Sequence, residues 1–445
     1  MRYTQITDDQ VTQALEAIGV KTLDDLFATI PSKLRLGRDL NIPKGLSEMA
    51  LLTDVGELAS RTMSCDNLVC FLGGGAYDHF IPTLVDAIAS ETDFLTAYTP
   101  YQAEASQGIL QLFYEFQTMI CQLTGMEVAN ASLYEGSTAA TEAVLMATSI
   151  TKRNRVLVAD TVHPDTRRVL RTYGQSRNLE LITVATDRGV INDGALADLL
   201  DDSIAAILVQ SPNFYGCLER VDRIAPLAHA QGALIIVSTD PLAGGILKPP
   251  GAWDVDIVVG EGQALGVPLQ YGGPYLGLLA SREKFLRKMP GRIVGTTTDA
   301  VGRRGFCLVM QTREQHIKRD RATSNICTNQ GLLAIRAAIY MAALGRSGIA
   351  QVAQLCFDNA HYAADRLAKL EGYELRFDAP FFKEFVVKSS KNVDRVLRSC
   401  RKRGILGGVA LGPFDSSLED CILVAVTEKR TKSQIDDWIA ALECA

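Results

Sequence analysis

Residues 256–277 read DIVVGEGQALGVPLQYGGPYLG. Asp256-Ile257-Val258-Val259 is a short apolar run rich in β-branched residues, the composition of a buried strand. The glycines that follow, ending in Gly272-Gly273-Pro274, mark a turn. In an α/β protein the loop at the carboxyl end of such a strand faces the crevice where ligands bind. Yet no Lys, His or Cys stands between Lys248 and Lys284. The loop sits where a catalytic loop belongs and carries no amine, imidazole or thiol.

Outward from this stretch the same kind of run recurs. Val156-Leu157-Val158-Ala159, Leu181-Ile182-Thr183-Val184, Ala205-Ala206-Ile207-Leu208-Val209 and Leu234-Ile235-Ile236-Val237 precede it, and Tyr275-Leu276-Gly277-Leu278-Leu279 ends it. Each run is nearly all apolar instead of alternating, as expected of parallel strands covered by helices on both faces. The segments around them have helical spacing, including Ile109, Leu112, Phe113, Phe116, Ile120 and Leu123 before Gly125. The implied fold is α/β with a central, largely parallel sheet.

The flanks differ. Thr7-Asp8-Asp9-Gln10 is a capping-box pattern opening an amphipathic helix with Val11, Ala14, Leu15 and Ile18 on one face. A second short helix from Thr22 turns Leu23, Leu26, Phe27 and Ile30 inward and stops at Pro31. Neither makes a core alone, so the segment reads as an arm that packs on something else. After a long apolar helix from Leu332 to Leu344, strands near Phe385-Val386-Val387 and Ile422 to Val426 and a closing helix through Trp438 describe a smaller α+β domain. The divisions expected are a helical N-terminal arm, 1–65, a large α/β domain, 66–330, and a small C-terminal domain, 331–445.

Composition narrows the function classes. The chain of 445 residues is 47% hydrophobic and 22% charged, the balance of a soluble globular protein. It has no run of about 18 apolar residues, which argues against a membrane partner. The N-terminus has no signal-like apolar core, so a cytoplasmic location is expected. A net charge of −6 leaves no electrostatic footprint for nucleic acid. The ten cysteines form no CxxC and the five histidines do not cluster with them, so no metal site is expected.

Five stretches could carry chemistry. FLGGGAYDHFIP (Phe71–Pro82) has three adjacent glycines, but Asp78 stands where a dinucleotide fingerprint needs its third glycine, and a tight turn is the simpler reading. TAYTPYQAEASQG (Thr96–Gly108) offers Tyr98, Tyr101 and Gln102 on a Pro-containing segment, suited to a pocket wall or an interface. In NASLYEGSTAATEA (Asn130–Ala143), Gly136, Ser137 and Thr138 begin a helix whose free N–H groups could cradle a phosphate, or Ser137 could simply cap it. VSTDPLAGG (Val237–Gly245) puts Asp240 at a strand end, where pyridoxal-phosphate enzymes pair an Asp with the pyridine nitrogen and other proteins merely turn. QTREQHIKRDRATSNICT (Gln311–Thr328) gathers Arg313, His316, Lys318, Arg319 and Arg321 beside Ser324 and Asn325, fit for an interface or an anionic partner.

Taken together, YTPYQAEASQG, NASLYEGSTAATEA, MPGRIVG and QTREQHIKRDRATSNICT resemble the glycine cleavage system P-protein family, over almost the whole chain. The resemblance is nearest to the N-terminal-half chain, subunit 1, found where the enzyme is split into two polypeptides. It implies a fold-type-I pyridoxal-phosphate-dependent transferase-like architecture. It also implies glycine decarboxylation, with the aminomethyl group passed to the lipoyl arm of H-protein. In the family's catalytic half a His-Lys pair precedes the Gly-rich turn, and that lysine holds the cofactor. Counting back from Pro268 puts Gly262 and Gln263 at those positions, and an amide forms no Schiff base.

The resemblance therefore implies a chain with no catalytic residue of its own and no covalently bound cofactor. The pyridoxal phosphate belongs to a partner, subunit 2, with two copies of each chain expected. Gly136, Ser137, Thr138 and Asp240 become remnants of a cofactor site. Tyr77, His79, Tyr98, Tyr101, Gln102, Ser324 and Asn325 become candidates for completing the partner's pocket. Two other readings remain: a self-sufficient enzyme using a displaced lysine, with Lys248 the nearest upstream, and a scaffold that touches no active site.

Overall fold

The computed structural model describes residues 5–95 and 100–444. The chain separates into two compact units, one ending at Met63 and one running from Ser64 to Ala445. In the first, Thr7 and Gln10 form the expected capping box at the start of Asp8–Ile18. Thr22 and Asp25 form another at Leu23–Phe27, and Glu48–Ser60 follows. None of these helical residues is buried. Leu23, Leu26, Phe27 and Ile30, expected to face inward, are exposed; the unit has apolar residues enough, but its short helices form no core of their own.

The second unit is built on a seven-stranded sheet. In chain order its strands are β1 (Val128–Ala129), β2 (Arg155–Ala159), β3 (Glu180–Val184), β4 (Ile204–Gln210), β5 (Leu234–Thr239), β6 (Ile257–Glu261) and β7 (Gly277–Ser281). Their spatial order is β1-β7-β6-β5-β4-β2-β3. Strands β3, β2, β4, β5 and β6 pair in parallel, with Leu157 opposite Ile207 and Ile236 opposite Ile257. The run expected to continue this parallel series, β7, is antiparallel to both its neighbours. The reason lies in residues 262–276. They contain no crossover helix, and a parallel return to an adjacent strand needs one.

The Gly136–Thr151 helix is buried from Thr138 to Ala147, where alanines let it lie close on the sheet. The Gly331–Leu367 helix is really two, broken at Gly345, whose φ of 61° is left-handed. Its first half, through Leu333, Ile335 and Tyr340, belongs to the large core, which also takes in Ile349 just past the break. Its second half, through Ala360, Ala363 and Leu367, belongs to a smaller one.

That smaller core lies under a four-stranded antiparallel sheet. Its strands are β8 (Tyr373–Leu375), β9 (Glu384–Ser389), β10 (Val409–Ala410) and β11 (Cys421–Ala425), in the order β8-β9-β11-β10. The segment just after residue 66 joins this part instead of the large core. Val69-Cys70 pairs in parallel with Ile405-Leu406, and Phe71 stacks on Trp438 at 4.9 Å. Trp438 is 1% exposed. Replacing Trp438 by Ala should therefore lower the unfolding free energy by about 3–5 kcal/mol, measured by chemical denaturation, because the neighbouring helices cannot collapse into the space.

Candidate functional site

The carboxyl ends of the parallel strands open into a cavity of about 450 Å³. Gln210 ends β4, Asp240 follows β5 and Glu261 ends β6, so three consecutive strands deliver polar groups to one place. The Gly136 end of its helix, the Gly74–Tyr77 loop, His163 and the Lys383-Glu384 pair complete the walls. This is the crevice in which α/β sheets bind ligands.

Among the described residues that line this cavity, Lys383 is the one lysine or arginine. It precedes β9, its side chain is 2% exposed, and its Nζ stands 2.6 Å from Asp240 Oδ2. The same ammonium donates to His79 Nε2 at 2.9 Å and lies 3.6 Å from the centre of the Tyr77 ring. Burial, and then the charge of Lys383, hold His79 below its ordinary pKa. The neutral ring thus offers its Nε2 lone pair to Lys383 and donates from Nδ1 to Glu428 Oε2 at 2.6 Å. Cys356 Sγ donates to the same carboxylate oxygen at 3.3 Å. His79, Cys356 and Glu428 have a metal-ligating composition, with one ligand atom each within 4.8 Å of the others. Both ring nitrogens of His79 are nevertheless engaged, one of them by a cation.

Beside Lys383, Glu384 points into the same region. Its Oε1 accepts from the Gly74 N–H at 2.7 Å and its Oε2 from the Tyr77 hydroxyl at 2.6 Å. Burial pushes the Glu384 carboxyl up to about 7, against the pull of those hydrogen bonds. Its backbone is fixed by Gly216, where φ is 84° and an added Cβ would stand 2.0 Å from the Glu384 carbonyl oxygen. No other residue type fits there.

The start of the Gly136–Thr151 helix is also occupied from within. Glu135, not Ser137, caps it, its Oε1 accepting from the Thr138 N–H at 2.8 Å. Ser137 Oγ instead lies 3.0 Å from Thr166 Oγ1. Glu261 Oε2 accepts from the Gly136 N–H at 2.9 Å, while its Oε1 accepts from the backbone N–H groups of Gln263 at 3.0 Å and Leu276 at 2.9 Å. Burial raises the Glu261 carboxyl to about 7 even so.

Gln263 is buried and fully bonded. Its Oε1 accepts from the Tyr77 N–H at 2.9 Å, and its Nε2 donates to the carbonyls of Tyr77 at 3.1 Å and Val267 at 2.8 Å. One side chain thus clips the Gly-rich loop to the loop that follows β6. Lys248 is elsewhere: its ammonium lies 3.6 Å over the Trp253 ring, beside a separate cavity of about 200 Å³.

The structure divides the candidate residues. It brings Tyr77, Gly136, Ser137 and Asp240 around the cavity, with Thr138 one turn-position behind and Gln263 against the Tyr77 backbone. Tyr77 and His79 both have internal partners. Tyr101 donates to Asn329 Oδ1 at 2.5 Å and lies under Arg292. Gln102 and Asn325 are exposed, whereas Ser324 is buried and accepts from the Ile326 N–H. Tyr98 lies outside the described residues. Lys383, Glu384, Glu261 and Glu135 were absent from the sequence expectation. Their one signal was a charged pair, Lys383-Glu384, set between Phe381-Phe382 and Phe385-Val386.

The family described as "Glycine cleavage system P-protein" matches residues 1–442. The chain belongs to that family. The chain is 50% identical over 442 residues to a protein of Desulforamulus reducens named "Probable glycine dehydrogenase (decarboxylating) subunit 1", covering 99% of each. It is also similar to the crystal structure of a glycine decarboxylase (P-protein) of the glycine cleavage system in inhibitor-bound form. That match has a TM-score of 0.93 and 40% identity, and covers 100% of this chain and 99% of the other. A Burkholderia pseudomallei sphingosine-1-phosphate lyase shares the fold at 16% identity, with a TM-score of 0.66 over 93% of each chain. The expected fold-type-I architecture, α/β with a second smaller sheet, is the one observed.

The raised carboxyl of Glu384 makes stability depend on pH. Its folded value of about 7 lies above the ordinary 4.5, so between those values the folded chain holds the proton more firmly than the unfolded one. Its contribution is full below about pH 4.5 and is lost as pH rises through about 7. Across that window Glu384→Gln should gain on the wild type by about 3 kcal/mol, read from urea unfolding at each pH.

Proposed function

We propose that this chain is the cofactor-free subunit of a two-chain glycine decarboxylase of the glycine cleavage system. It would act in the cytoplasm beside a lysine-bearing subunit 2 that holds pyridoxal phosphate, two copies of each forming the assembly. The partner's site decarboxylates glycine and hands the aminomethyl group to the lipoyl arm of H-protein. The name "subunit 1" borne by a full-length relative supports a division between two chains. One observation carries the assignment of roles. At the loop after β6 the side chain is the amide of Gln263, spent on the Tyr77 backbone, and an amide forms no Schiff base.

Pyridoxal phosphate does not fit the residues present. A pyridine nitrogen would need Asp240, which Lys383 holds at 2.6 Å. A phosphate would need the N–H groups of Gly136 and Thr138, which Glu261 and Glu135 already take. Lys383 also favours one rival, a self-sufficient enzyme with a displaced lysine, since it is an amine on the cavity wall. Against that, its ammonium is fixed on the carboxylate, and a protonated amine in an ion pair is no nucleophile.

The test is to incubate the purified chain with pyridoxal phosphate, reduce with borohydride and map pyridoxylated peptides by mass spectrometry. Trace labelling spread over surface lysines is expected; stoichiometric labelling at Lys383, or at any one lysine, would overturn the assignment. A second experiment asks whether the chain completes its partner's pocket. Replacing Tyr98 and Gln102 together by Phe and Ala in the assembled enzyme should lower kcat/KM for glycine by roughly tenfold or more, the loss of about one good polar contact. Unchanged kinetics would leave only a scaffolding role.

A further inference from the structure

The remnant pocket lacks a lysine at residue 263. Its geometry points to something more: we propose that Lys383 and Glu261 stand in for the cofactor's own polar ends. They lock the pocket in a cofactor-excluding state that restoring a lysine at 263 would not undo. This rests on the reading of the chain as the cofactor-free subunit.

The two substitutes match in charge and in place. A pyridoxal phosphate presents a cationic pyridinium N–H at one end and a phosphate at the other. Fold-type-I sites answer these with a carboxylate at a strand end and the N–H groups of a helix start. Here the strand-end carboxylate, Asp240, already faces the Lys383 ammonium, and the helix start already faces the Glu261 carboxylate. Glu135 adds a second carboxylate on the Thr138 N–H, in the same first turn. Above about pH 7, where Glu261 is ionised, a bound cofactor would set its pyridinium against an ammonium and its phosphate against two carboxylates. Each contact then reverses the sign that binding requires.

Neither substitute leaves readily. The Lys383 backbone is anchored by its carbonyl, which accepts from the Val426 N–H. Its ammonium has three partners: Asp240, His79 and the Tyr77 ring. Moving it out strands a buried carboxylate, at a cost of several kcal/mol. Glu261 is held by three backbone N–H groups, two of them on the loop after β6. Lys383 joins the end of β5 and the Gly-rich segment to the approach to β9, and Glu261 joins the helix start to the loop after β6. The bonds that exclude the cofactor are therefore also bonds that hold the cavity walls together.

The experiment uses the full chain in four forms: wild type, Gln263→Lys, Gln263→Lys/Lys383→Gln, and Gln263→Lys/Lys383→Gln/Glu261→Gln. Binding of pyridoxal phosphate is read by equilibrium dialysis, and its site by borohydride reduction and peptide mapping. Circular dichroism and thermal melting establish that each form is folded. Gln at 383 keeps a donor toward Asp240, and Gln at 261 keeps an acceptor. Gln263→Lys alone should bind no better than wild type. At pH 8, where Glu261 is ionised, the triple form should bind at least about tenfold tighter, as expected when two opposing charges are removed, and be labelled at residue 263.

If Gln263→Lys alone binds as tightly as the triple form, the lock does not exist, and the cofactor-free reading of the natural chain still stands. A folded triple form that fails to bind also overturns the lock. Should the triple form not fold, the double form decides: binding no tighter than Gln263→Lys overturns the role of Lys383. Stoichiometric binding by the wild type overturns the underlying reading itself.

Discussion

A buried ammonium facing a largely buried carboxylate organises the second unit of this protein. Taking either charge out of water is costly, and the attraction between them compensates only when the remaining hydrogen-bonding capacity is also met. Lys383 meets it with an imidazole and an aromatic face, and His79 extends the chain to Glu428. Glu428 in turn accepts from the Phe80 N–H, beyond the Gly-rich loop. The ion pair thus draws together the end of β5, the loop from Phe71 and the approach to β9, segments that no single core unites. Around it Glu384 and Glu261 are held by N–H and hydroxyl donors; burial outweighs those hydrogen bonds, so both carboxyls protonate more readily than exposed acids do.

Much of the fold was legible because its strands are covered on both faces. β2 and β4 to β6 read as continuous apolar runs for that reason, while the edge strand β3 is half-exposed; the observed bounds of all five differ from the expected ones by a residue or two. β1 was invisible: two residues, Val128-Ala129, carry no period. The direction of β7 was misjudged because direction depends on what connects two strands, not on the composition of either. The N-terminal unit was legible in its caps and not in its packing, since a capping box is local and burial is not.

The site was legible in the opposite way. Its inherited parts, Asp240 and the helix start at Gly136, lie in recognisable local patterns, and the loss of the lysine at Gln263 can be counted from the turn at Pro268. What replaced the missing function could not be read locally. Lys383 meets Asp240 from 143 positions away (383 − 240), and Glu384 meets Gly74 from 310. Such pairs have no periodicity or spacing, so a lysine before a strand looked like an ordinary strand boundary. Gln263 was read as an absence, and it proved to hold three hydrogen bonds.

The pairing of Val69-Cys70 with Ile405-Leu406 has a consequence for how the molecule is made. Chains emerge from the ribosome N-terminus first, and domains tend to fold as they appear. Here residue 69 must wait for residue 405, and Phe71 for Trp438, before either has a partner. The large sheet can assemble while synthesis continues, but the Gly-rich loop anchored just after Phe71 cannot take its final position until almost the last helix has left the tunnel. The nascent chain therefore carries an unfinished cavity from the emergence of β6 until the chain is released, and its Gly-rich wall is set as one of the final acts of folding.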